Sequence, residues 1–141
     1  MLPRNSYGHC EIPCGIYADS LRVTLIGEHI QTIEKSMREI RELSEQGDKN
    51  YNQIVRWVNN KEEHAKKIQE LATQYFMFQR IKISDDPKEK EKNQQLLSLL
   101  HQLCVHAMKA KQTIELGHID KMNDILKRFS NLYFEGQKTH K

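Results

Sequence analysis

Apolar residues recur in steps of three and four along most of this chain, and polar or charged residues fill the positions between them. Ile26, Ile30, Ile33, Met37, Ile40 and Leu43 fall on one stripe of a helix. Asp19 and Ser20 stand ahead of that stripe as N-cap candidates, and Gly47 follows as a C′ residue. A second stripe, from about Tyr51 to Ile81, carries Ile54, Val55, Val58, Ala65, Ile68, Leu71, Ala72, Tyr75 and Phe76. The segment "SDDPKEK" then places Asp86 before Pro87, the arrangement that opens a third helix. That helix is predicted to run to about Leu116, on Leu96, Leu97, Leu100, Leu103, Cys104, Ala107, Met108 and Ile114, with Gly117 ending it. A fourth, from His118 to about Glu135, carries Ile119, Met122, Ile125, Leu126, Phe129, Leu132 and Tyr133.

No proline interrupts these stretches, and no segment alternates with the period of a strand. Amphipathic helices joined by short polar turns must bury their stripes against one another. The expected fold is therefore all-α: an antiparallel up-down four-helix bundle over residues 18–136. The end, "QKTHK" at 137–141, is expected to fray. The chain has 141 residues, enough for one hydrophobic core without a covalent staple. Its formal charge of +3 comes from cations mixed with acids along the helices. A nucleic-acid partner is not expected from that balance, although a small anion would feel a mild attraction. No apolar run is long enough to cross a membrane, and "MLPRNSYG" lacks the apolar region of a secretory signal. A cytoplasmic location, with no membrane partner, is the expectation.

The unusual chemistry is concentrated ahead of the helices, in "SYGHCEIPCGIYADS" at residues 6–20. Two of the three cysteines, Cys10 and Cys14, lie here beside His9. Taken alone, a C-x3-C pair reads as a labile disulfide or two idle thiols. Zinc is poorly supported, because no second cysteine pair and no H-E-x-x-H pattern exist. A cut before His9 would free its α-amine. That amine, the Cys10 amide nitrogen and the two thiolates could then surround a metal in a plane, with the imidazole axial. Such a set suits Ni(II) or Cu(II). Pro13 stiffens the turn, and Gly15 permits backbone angles that a side chain forbids.

"HCEIPCGIY" resembles the nickel hook of nickel superoxide dismutases, written H-C-x-x-P-C-G-x-Y, and matches it at His9, Cys10, Pro13, Cys14, Gly15 and Tyr17. That family is also a small four-helix bundle after its hook. The resemblance implies a hook at 9–17 whose metal ligands are His9, Cys10 and Cys14, holding one nickel ion per chain. It implies that Tyr17 and Tyr75, the latter in "QYF", border the substrate pocket. It further implies superoxide as substrate, a homohexamer, and a processing peptidase that removes a propeptide at 1–8. The family anchors its axial imidazole through a glutamate and an arginine. Glu28 is the candidate for the first, and Lys61 or Arg56 for the second.

Two other readings compete with the enzyme: a nickel or copper carrier without turnover, and a helical adaptor with a redox-sensitive cysteine clasp. Elsewhere, Cys104 reads as a packed core thiol. His29, His64, His101, His106, His118 and His140 read as surface or interface residues rather than ligands. Trp57 and Phe78 read as packing or subunit-contact residues.

Overall fold

The computed structural model describes residues 14–136. Helix α1 spans Ile16–Ser44 and is followed by a single 3₁₀ turn at Gly47–Asn50. Helix α2 spans Tyr51–Glu70 and runs on without a break as a π-helix over Leu71–Arg80. Helices α3, Pro87–Gln112, and α4, Gly117–Tyr133, complete the element order. His9, Cys10, Pro13, the 1–8 leader and the 137–141 end lie outside the described residues.

The helices alternate in direction, as the cross-links between them show. Asp19, at the start of α1, meets Tyr75 and Arg80 near the end of the second helix and Tyr133 at the end of α4. Further along α1, His29 faces His64 and Ser36 faces Asn60. Lys61 of α2 meets Ala110 and Lys111 of α3, and Gln69 meets Cys104. Each helix packs on its chain neighbours, and α1 closes the ring against α4. This is the antiparallel up-down four-helix bundle expected from the stripes.

The core is built from those stripes. Ile26, Ile30, Ile33 and Met37 of α1 meet Ala65, Ile68, Ala72 and Phe76, together with Leu96, Leu100, Leu103 and Ala107 of α3 and Met122, Ile125 and Phe129 of α4. At one end the filling is aromatic. Phe76 stands edge-on to Tyr75, Phe129 and Tyr133, with ring centres 4.9, 5.1 and 5.4 Å apart. Edge-to-face packing of this kind adds to the apolar burial. Val55 and Met108, counted among the stripes, are exposed instead.

Three boundaries differ from the sequence reading. The first helix starts at Ile16 rather than after Asp19 or Ser20, and its N-cap is Gly15. There φ is +134°, open to glycine but costly for a side chain, and the Gly15 carbonyl accepts from Asp19 N at 2.7 Å. Asp19 does not cap because its carboxylate is drawn inward by donors from two other helices. The third helix ends at Gln112, short of Leu116, and Gly117 opens α4 instead of ending α3. The buried Lys61 ammonium causes that early end, donating to the carbonyls of Ala110 and Lys111 at 2.6 and 2.7 Å. It satisfies the C-terminal acceptors that α3 leaves open. The Asp86–Pro87 start is as expected, with Asp86 accepting from Glu89 N at 3.1 Å.

Candidate functional site

The end of the bundle at which Cys14 leads into α1 is organised around one buried carboxylate. Asp19 is 1% exposed. Its Oδ1 accepts from the Tyr75 hydroxyl at 2.6 Å and from Arg80 Nε at 2.8 Å. Its Oδ2 accepts from Arg80 Nη2 at 2.8 Å and from the Tyr133 hydroxyl at 2.9 Å. The arginine fork is bidentate, the strong form of this pairing. A buried carboxylate needs this much compensation, since an unpaired charge would be expelled or neutralised.

The π-helix makes the arrangement possible. Tyr75 and Arg80 are five residues apart and would point about 140° apart on an α-helix, at roughly 100° per residue. Wider turns, shown by the bond from Ile81 N to the Phe76 carbonyl at 3.0 Å, bring them nearer to one side. Such stretches are rare and concentrate at functional sites.

Arg80 also ties the cluster to the hook. Its third nitrogen, Nη1, lies 3.7 Å from Cys14 Sγ. Cys14 is a free, half-buried thiol packed against the edge of the core. Arg22 places its guanidinium 4.7 Å from the centre of the Tyr75 ring. Two arginines therefore flank Tyr75, while Asp19 offsets part of their charge. Burial, and next the bond to Asp19, push the Tyr75 hydroxyl well above the ordinary tyrosine range, and the same two causes act in the same order on Tyr133. Both hydroxyls are fixed hydrogen-bond donors at neutral pH rather than acids. The Asp19 bond is the first cause that raises Arg80 above the ordinary guanidinium value.

The residues named from sequence are distributed unevenly over this end of the molecule. Cys14 and Tyr75 are brought together through Arg80 and Asp19. Tyr17 sits on the first turn of α1 and is 77% exposed. His9 and Cys10 lie outside the described residues. Of the candidates for anchoring the imidazole, Glu28 is exposed, and Lys61 is engaged on the end of α3. Arg56 is exposed beside Gln53, Trp57 and Asn60. Among the described residues it is Arg80 that reaches Cys14, and Asp19 holds Arg80. The sequence reading took Asp19 for a cap and did not single out Arg80. The one signal available was an aspartate two residues past a tyrosine in the hook pattern, at a position the stripe leaves facing inward.

Of the ligands named from sequence, only Cys14 falls among the described residues. Cys14 is an unpaired thiol with a cationic hydrogen-bond donor on its sulfur, and sulfur is a ligand for soft and borderline metals. A family model described as nickel-containing superoxide dismutase matches residues 4–138. Neither a curated protein nor a solved structure matches the chain.

Proposed function

The chain belongs to the nickel-containing superoxide dismutase family, and from that membership we propose that it disproportionates superoxide at a nickel ion held by His9, Cys10 and Cys14. Bound there, nickel would supply one-electron Ni(II)/Ni(III) cycling, by which one superoxide is oxidised to dioxygen and another is reduced, with two protons, to hydrogen peroxide. Arg80 holds Cys14 from outside the ligand set, by a donor on its sulfur. Donors of this kind set how strongly a thiolate pushes charge onto its metal. Asp19 keeps the arginine in place with two bonds. Tyr75, buried and bonded to Asp19, helps to hold that carboxylate beside Arg80. Arg22 and Arg80 add local positive charge that attracts an anionic substrate.

The observation that carries the reading is the family match over residues 4–138, and the contact of Arg80 with Cys14, which joins that thiol to the buried polar cluster, supports it. The mature enzyme is proposed to start at His9, after loss of 1–8, and to act as a homohexamer in the cytoplasm. An exposed apolar run at Ile16, Tyr17, Leu21 and Leu25 beside the hook supports assembly, because a lone chain would leave it wet. The test uses protein released to begin at His9 and loaded with nickel. We expect one thiolate-bound nickel per chain, read from its sulfur-to-nickel charge-transfer absorption, rapid loss of superoxide, and loss of both in Cys14→Ser. A nickel-loaded form beginning at His9 that leaves superoxide decay unchanged would overturn the enzyme and favour the carrier.

A further inference from the structure

Away from the hook, α1 and α2 bring two imidazoles face to face. His29 Nδ1 and His64 Nδ1 are 2.8 Å apart, with ring centres 4.9 Å apart and planes inclined at 51°. Both rings are half-buried. Among the described residues, each ring's hydrogen bond is to the other. His29 also opens on a cavity of about 470 Å³ lined by Leu25, Lys67, Glu70, Leu71, Gln74 and Tyr75.

We infer that His29 and His64 form a second metal site, separate from the hook, which takes one borderline divalent cation such as Ni(II). Two imidazole nitrogens bound cis to one ion at about 2.05 Å lie roughly 2.9 Å apart. The observed separation is within about 0.1 Å of that, so the two nitrogens stand at the spacing of cis ligands to one ion. Imidazole suits nickel, copper and zinc alike. Among the described residues no third His, Cys, Asp or Glu joins the pair as a ligand, so water completes the coordination.

The surrounding charge admits the ion. Lys67 opposes it, while Glu28 beside His29, Glu63 beside His64, and Glu70 in the cavity favour it. Burial also keeps both rings below the ordinary histidine value, so neither proton competes strongly at neutral pH. A second pair offers the contrast. His106 and His118 have Nδ1 atoms 3.1 Å apart, but Lys109 and Lys121 stand by His106. That environment repels a cation, which makes the pair an internal control.

The experiment removes the hook thiolates, so its result does not depend on the dismutase reading. Full-length protein carrying Cys10→Ser and Cys14→Ser is titrated with nickel chloride by calorimetry. Imidazole proton resonances are followed by NMR in the same samples. We expect one equivalent to bind and to broaden the His29 and His64 rings. Adding His64→Ala should weaken that equivalent at least tenfold, and His106→Ala should leave it unchanged. His29→Ala repeats the test from the other helix, should the first variant fail to fold. Nickel binding of equal number and affinity in folded His64→Ala or His29→Ala would overturn the site, as would no binding in the parent.

Discussion

Replacing Asp19 should be among the most damaging single changes at the hook end of the bundle. Asp19→Ala removes the shared acceptor of two buried hydroxyls, those of Tyr75 and Tyr133, and releases the Arg80 fork. An unsatisfied buried polar group costs about 1–3 kcal/mol, and breaking a buried ion pair from one side about 3–5 kcal/mol. These costs overlap. The Arg80 side chain keeps 22% exposure and can turn back to water, so most of the loss falls on the tyrosines. A total near 4 kcal/mol follows, roughly a third to a half of a typical domain's stability. For 141 residues the unfolding entropy is about 0.3 kcal/mol/K, so the melting temperature should drop by roughly 13 °C. Urea and thermal unfolding, at one fixed protomer concentration, measure this directly. Asp19→Asn is the sharper comparison, because it keeps the volume and gives Arg80 an amide instead of a carboxylate. If Asp19→Asn unfolds within about 0.5 kcal/mol of wild type, the reasoning fails, since the cluster would then hold by packing alone.

Other outcomes follow from the same contacts. Lys61→Met should cost about 2 kcal/mol, because the Ala110 and Lys111 carbonyls lose their donor, yet leave nickel content unchanged. Loss of nickel in that variant would restore Lys61 to the hook. Arg80→Lys should keep a cation but not the fork, so its nickel-site absorption and redox potential should shift while the bundle stays folded. Unchanged spectra would separate Arg80 from the metal. Stability should fall as pH drops below the ordinary histidine value of 6.5, because the unfolded chain takes up protons that burial makes His29 and His64 resist. Urea midpoints at pH 5 and pH 7.5 test this, and a slope unaltered in His29→Ala would contradict it. Tyr75 and Tyr133 should stay protonated past the ordinary value of 10.0 and so favour the fold up to that pH, the advantage fading above it. Phenolate absorbance near pH 11 that falls in Tyr75→Phe would show otherwise.

Much of this molecule could be read along one dimension. The helical stripes set out the bundle, because residues three and four apart share a face whatever lies opposite. Asp86 before Pro87 marked a helix start, since both act through their own backbone neighbours. The pattern around His9, Cys10 and Cys14 that resembles a nickel hook stood out for a similar reason, its residues being close in sequence. Val55 and Met108 show the limit, because an apolar residue at the edge of a stripe is buried only if a partner covers it.

The polar groups that finish the site were decided by tertiary structure. Asp19 looks like a cap beside its own helix and becomes a buried hub only because Tyr75, Arg80 and Tyr133 arrive from residues 56, 61 and 114 positions away. Lys61 reads from sequence as a candidate anchor for the imidazole and instead closes the end of α3 from 49 residues away. The periodicity of a chain determines which face of a helix is dry. Which buried charge finds its partner depends on how four such faces meet, and on a π-helix whose wider turns bring Arg80 and Tyr75 to the same carboxylate.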